Sequence, residues 1–109
     1  MRLTQKECDE IVASFEDIIE NNWAELRLYG SRVNDALRGG DIDLLLLVEK
    51  PALLDALRAR KHYLLADIKN RIGDQKIDLT LASPKELEEE AFLKVIYPQS
   101  LLIHQFKLA

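Results

Sequence analysis

Cysteine is nearly absent: Cys8 is the only one in 109 residues. No internal disulfide can form, and a reducing compartment is the expectation. Long apolar runs are missing too. None approaches the ~18 residues that a membrane-crossing helix needs, and the N-terminus shows no signal-peptide pattern, so a cytoplasmic protein without membrane association is expected. No Lys/Arg cluster dominates any segment, and the net charge is −4 with a sequence pI of about 5.2. That balance argues against a nucleic-acid-binding surface. There is no internal repeat and no low-complexity tract, so the chain reads as one domain over residues 1–109.

What is present is ordinary in bulk, with 48% hydrophobic and 31% charged residues, as in soluble globular domains. A chain of this size buries about 60–65% of its unfolded surface, enough for one modest core. Its organising stretch is residues 26–48, LRLYGSRVNDALRGGDIDLLLLV. It reads as a strand, a tight Gly30-Ser31 turn, a polar connection ending in Gly39-Gly40, and a second strand that opens with Asp41 and Asp43.

In chain order, Thr4 and Glu7 have the spacing of a capping box and start a first helix. Cys8, Ile11, Val12, Phe15, Ile18 and Ile19 recur at helical spacing and form its apolar stripe, which makes Cys8 a small core residue rather than a reactive thiol. Asn21-Asn22 ends the helix, and Trp23 packs at the junction. Residues 25–29 form a strand with Leu26 and Leu28 on one face and Arg27 and Tyr29 on the other. Gly30 breaks it, and Ser31-Arg32 starts a short helical turn. The segment 33–38 is polar and irregular.

Residues 41–48 are almost wholly apolar after Asp43, the pattern of a central strand covered on both faces. Pro51 then suits the first turn of a helix. Residues 52–72 are expected to form one long helix with the stripe Leu53, Leu57, Leu64, Ile68 and Ile72, broadened by Leu54 and Leu65. Arg58, Arg60, Lys61 and His62 lie mid-helix as a solvated face, and Gly73 marks the helix end. Residues 75–82 alternate as a third strand, parallel to the second through a crossover. Ser83-Pro84 starts an acidic helix expected to run to about Lys94, Pro98 interrupts, and residues 101–103 form a short edge strand. The tail 104–109 carries no clear signal.

Side chains at i and i+2 of a strand share a face, so Asp41 and Asp43 stand together. Asp78 projects from the neighbouring strand, away from Ile77 and Leu79. If the helices pack on Ile42, Leu44, Ile77 and Leu79, all three carboxylates gather on the opposite face. Three like charges that close repel unless a cation lies among them, and hard cations such as Mg²⁺ take oxygen ligands while holding polyphosphates. The alternative is that aspartates at strand ends cap loops or pair with arginine.

The ordered set of strand, Gly30-Ser31-Arg32, a nine-residue spacer from Arg32 to Gly40, Gly39-Gly40-Asp41-Ile42-Asp43-Leu44, helix and Ile77-Asp78-Leu79 resembles the nucleotidyltransferase superfamily that includes DNA polymerase β. The likeness is greatest to its smallest members, the minimal nucleotidyltransferases, whose spacer is often one residue longer. It covers about residues 24–82. The resemblance implies an α/β (α+β) fold with a small mixed sheet of three to four strands flanked by helices. It also implies that Gly30, Ser31 and Arg32 bind the triphosphate, and that Asp41, Asp43 and Asp78 are both the catalytic residues and the ligands of two Mg²⁺ ions. Asp78 would help deprotonate the acceptor hydroxyl.

By the same resemblance, AMP would pass from Mg-ATP to an acceptor on an all-helical HEPN-type protein from a neighbouring gene, with the transferase as antitoxin of a toxin–antitoxin pair. Larger relatives carry an acceptor-binding domain for which this chain has no room. Two other readings stand beside this one: a catalytically weak nucleotide-binding or complex-forming subunit, and adenylylation of a small molecule such as an aminoglycoside, which the absent acceptor domain disfavours. The sequence leaves the oligomeric state, homo- or hetero-, open. Leu45 and Leu47 share the carboxylate face, where few elements remain to cover them. The expectation is an apolar patch left open for a partner, with residues 101–103 folding back over it as the alternative.

Overall fold

The computed structural model describes residues 1–34, 36 and 40–107. Residues 35, 37 and 38 of the polar connection, and Gly39 after it, fall outside the described residues. The first helix, α1 (Gln5–Ile19), starts as its sequence dictates. Thr4 accepts a hydrogen bond from the Glu7 backbone N–H, and Glu7 accepts one from the Thr4 N–H, which satisfies two donors left open at a helix start. Strand β1 (Ala24–Tyr29) follows, then a 3₁₀ turn over Gly30–Val33 and strand β2 (Ile42–Val48). Asp41 is the residue just ahead of β2.

The expected long helix is two helices, α2 (Pro51–Ala59) and α3 (Lys61–Ile72), broken at Arg60. Leu53, Leu54 and Leu57 are buried in the first, Leu64 and Ile68 in the second. The stripe positions that should follow Leu57 by three and four residues are Arg60 and Lys61. With no apolar side chain to hold that turn to the core, the axis changes direction there at little cost.

Strand β3 (Ile77–Ala82) leads into α4 (Glu86–Glu89), α5 (Ala91–Gln99) and β4 (Leu101–Phe106). The acidic helix also differs from expectation. It stops at Glu90, whose backbone is extended, and α5 runs on through Pro98 to Gln99. An unbroken helix would stack Glu86 under Glu90 at i,i+4, a like-charge pair that destabilises it. The break also turns Leu93 inward, where it is buried. The C-terminal residues form an edge strand as expected, but a longer one that reaches Phe106, whose side chain is buried.

The four-stranded sheet has the order β3-β2-β1-β4. β2 runs parallel to β3 and antiparallel to β1, and β4 pairs antiparallel with β1 across an irregularity at Leu26 and Arg27. This is the small mixed sheet flanked by helices read from the sequence, with β2 internal. One face carries Leu26, Leu28, Ile42, Leu44, Leu46, Val48, Ile77, Leu79 and Leu81 against Ile11, Phe15 and Ile19 of α1 and the leucines of α2 and α3. Cys8 of α1 is buried.

The other face is covered only in part. Leu45 and Leu47 are 0% and 1% exposed, packed with Tyr29, Ala82 and Leu93 and flanked by Trp23, Leu87, Ile96 and Tyr97. The open apolar patch expected here does not exist, and residues 101–103 do not cover it either. Helix α5 does, because the turn at Glu90 lays its apolar side on this end of the sheet while residues 101–106 pair with the edge of β1. No helix among the described residues is long and apolar enough to cross a membrane.

Candidate active site

The carboxylates lie at the end of the sheet that α5 leaves uncovered. Register sets their relation: Asp43 pairs with Asp78 across the parallel β2–β3 ladder and with Tyr29 across the antiparallel β1–β2 ladder. Paired residues on adjacent strands stand on one face with backbones about 5 Å apart. Asp43 and Asp78 are therefore side by side because the strands cannot slip by one residue without turning Leu44 and Leu79 out of the core. Asp43 is half-buried, Asp78 is exposed, and Asp41 is held at 3.5 Å from Lys76 Nζ. Burial, followed by repulsion from Asp78 and Asp41, pushes the Asp43 carboxyl above its ordinary range, and Lys76 pulls it back.

Two glycines explain why the Gly-Ser turn and the Gly-Asp strand entry occur together. Gly30 has φ +77° and Gly40 φ +90°, backbone angles that favour glycine. A Cβ on Gly30 would collide with Asp43 Oδ2, and one on Gly40 would collide with Ser31 Oγ. Each half of the motif thus packs on the bare backbone of the other, bringing the Ser31 hydroxyl and the Asp43 carboxylate to adjoining positions at one end of the sheet.

Arg32 braces this corner. Its Nε donates to the Gly40 carbonyl at 3.4 Å, Nη1 to the Arg2 carbonyl at 3.0 Å, and Nη2 to Gln75 Oε1 at 3.0 Å. Gln75 in turn donates to Glu7 Oε2 at 2.9 Å, which joins the corner to the start of α1. The guanidinium placed by sequence among the phosphate-binding residues is thus drawn across the loop by carbonyls and an amide. The Ser31 carbonyl accepts from Arg2 Nη2 at 3.3 Å.

Sequence reasoning passed over Tyr29, Thr80, Lys76 and Gln75. Tyr29 and Thr80 had a signal, since each lies on the carboxylate face by the same period of two that places Asp43 and Asp78. Their hydroxyls are 3.1 Å apart, and burial of Tyr29 raises its phenol above the ordinary value, with Asp78 and Asp43 adding to the rise. Lys76 had a weaker signal, two residues before Asp78. Gln75 had none, because a loop amide bridging two distant elements leaves no pattern in sequence.

The carboxylate oxygens are the right chemistry for a hard divalent cation, and the repulsion at Asp43 is the charge such an ion would neutralise. The three side chains share a face without closing around one point: among the described residues no three His, Cys, Asp or Glu side chains are grouped to hold an ion.

The model of one family, "Nucleotidyltransferase domain", matches residues 8–100. The chain belongs to the nucleotidyltransferase domain family. No curated protein and no solved structure matches it significantly. The match runs from within α1 to Ser100, just ahead of β4, and includes the Gly30-Ser31 corner and all three aspartates. Its activity is nucleotidyl transfer, in a family that generally uses nucleoside triphosphates and divalent metals.

Proposed function

We propose that this nucleotidyltransferase transfers AMP from Mg-ATP to a hydroxyl on a partner protein, an all-helical HEPN-type neighbour, and acts as the antitoxin of that pair in the cytoplasm. The observation that carries the transferase chemistry is the register-locked pair Asp43–Asp78 beside the Gly30-Ser31 corner. The choice of partner is supported by the likeness of Gly30-Ser31-Arg32, Gly39-Gly40-Asp41-Ile42-Asp43-Leu44 and Ile77-Asp78-Leu79 to minimal nucleotidyltransferases.

Asp41, Asp43 and Asp78 would hold magnesium, which supplies charge neutralisation for the triphosphate and the departing pyrophosphate. Ser31 donates its hydroxyl to a phosphate oxygen, and the Gly30-Ser31 backbone approaches the triphosphate because no side chain stands on Gly30. Arg32 adds positive charge at the same corner while holding Gly40 in place. The acceptor oxygen forms a bond to the α-phosphorus as the bridging α–β bond breaks. The acceptor proton passes to Asp78, the most exposed of the three carboxylates, and pyrophosphate leaves.

The test is to incubate the protein with Mg²⁺, ATP and the helical protein encoded beside it, then weigh both chains. A gain of one AMP on the helical protein is expected. Absence of both that gain and pyrophosphate release would overturn the reading. A second reading, a nucleotide-binding subunit without turnover, is favoured by the absence of a ready three-carboxylate cage among the described residues. It requires Mg-ATP to bind with no pyrophosphate released in the presence of the partner.

A further inference from the structure

Beyond Asp78 on the same face of β3, Thr80 and Ala82, with Leu81 between them, form one side of a cleft of about 210 Å³, closed by Glu86, Glu90, Phe92 and Leu93. Thr80 is two residues from Asp78, about 7 Å along the strand, so the cleft opens next to the carboxylate that faces solvent. Beside the two glutamates, its other side carries an exposed aromatic ring. Phe92 is 54% exposed, with its ring 5.9 Å from that of Tyr29 and edge-on to it, and Val95, one helical turn on, is 63% exposed. Two apolar side chains at i,i+3 on the solvent face of a nine-residue helix leave apolar area in water whose burial by a partner is favourable.

Charge narrows what that something is. Glu86 is held by Arg58 at 3.3 Å and by Ser83, and Glu89 by Lys85 at 4.0 Å. Glu88 and Glu90 make no ion pair or side-chain hydrogen bond among the described residues, and both are exposed. Lys94, two positions from Phe92, falls on the other side of α5. A cleft with the unpaired Glu90 in its wall and a second unpaired carboxylate, Glu88, on the adjoining α4 complements a segment that presents an apolar side chain between lysines or arginines.

Resting on the transferase reading above, we propose that this cleft is the docking site of the acceptor protein, which enters it with an apolar side chain flanked by basic residues and so brings its hydroxyl to Asp78.

The test compares the full-length parent with a Glu88→Lys/Glu90→Lys double variant and with Val95→Asp, all exposed positions outside the carboxylate site. The probe is the helical neighbour. Its affinity for each chain is measured by interferometry at low and high salt, and Mg-ATP binding is followed separately with a fluorescent ATP analogue. The double variant and Val95→Asp are each expected to weaken the protein–protein affinity by about tenfold or more. The parent affinity should fall with salt and the variants' less so, with Mg-ATP binding unchanged throughout. Parent-like affinity in both variants overturns the proposal, as does failure of the parent to bind the helical protein. In either case intact Mg-ATP binding leaves the transferase reading standing. Loss of Mg-ATP binding by the parent would instead sink that reading. Parent self-association in sedimentation, lost in the double variant, would assign the cleft to a second copy and overturn the docking of a partner.

Discussion

One face of β2 carries Asp43, Leu45 and Leu47 in succession, and the two ends of that run have opposite fates. Leu45 and Leu47 are sealed by α5, while Asp43 stays half open beside an exposed Asp78. The period of two placed all of them alike. What separates them is the element available to cover each end. Burying a leucine gains about 1.5–3 kcal/mol, whereas a buried, unpaired carboxylate costs several. A helix with Leu93, Ile96 and Tyr97 on its inner side therefore settles on the apolar end and leaves the acidic end bare. In a domain this small the site is the part of a sheet face that the core did not need.

The largest effect is expected where the carboxylate end is disarmed. Asp43→Asn should lower nucleotidyl transfer by about a thousandfold or more, since it removes a ligand charge at the α-phosphate with no change of shape. Its stability should move the other way. A carboxyl whose pKa is raised on folding binds its proton more tightly in the folded state, so its contribution worsens as pH rises through the ordinary carboxylate range. Without metal at neutral pH, Asp43→Asn should melt no lower than the parent. Pyrophosphate release and metal-free thermal melts check both halves, and a destabilised variant would mean that Asp43 is held by contacts other than those described.

Two residues along, Leu45→Ala should show the reverse. It deletes a fully buried side chain between Tyr29, Leu93 and the sheet, and should cost about 2–5 kcal/mol in urea unfolding. A loss below about 1 kcal/mol would mean that α5 does not pack there in solution.

The same contrast shows what was legible beforehand. The strands, the central place of β2, the capping box and the neighbouring of Asp43 and Asp78 follow from local rules of period, glycine and capping. The two helix breaks at Arg60 and Glu90 escaped, though both had a visible cause in charged residues at stripe positions or in one stacked turn. The covering of Leu45 and Leu47 escaped for a different reason. It depends on where α5 is aimed, which turns on the extended backbone at Glu90 rather than on any pattern of apolar residues. Likewise Arg32 carries the right charge for phosphate, but which carbonyls draw it in is a property of the folded corner.

Gly30→Ala probes how tightly that corner is built. An L-residue at φ +77° costs on the order of 1–2 kcal/mol, and its Cβ would meet the Asp43 carboxylate. A melting-point drop of a few degrees is expected together with a transfer defect larger than the stability loss explains, because the metal-side carboxylate is what must move. Transfer at the parent rate would show that the corner tolerates displacement and that Asp43 does not need its described position.

The smallest effect concerns the link from that corner to the start of α1. Glu7 is held below the ordinary carboxylate range, chiefly by the Thr4 backbone N–H, which outweighs burial, with Gln75, the Thr4 hydroxyl and the charge of Arg32 adding to the shift. A carboxyl lowered on folding contributes stability above its unfolded pKa of about 4.5 and loses it as pH falls through the lower folded value. Glu7→Gln keeps the shape but not the charge. It should lose on the order of 1 kcal/mol or less at pH 7, and the gap to the parent should close as pH falls below 4. Chemical denaturation at pH 7 and pH 3.5 measures the gap. A constant difference at both values would mean that Glu7 acts through packing and hydrogen-bond geometry, not charge. The chain from Glu7 through Gln75 and Arg32 to Gly40 would then be held by its neutral bonds alone.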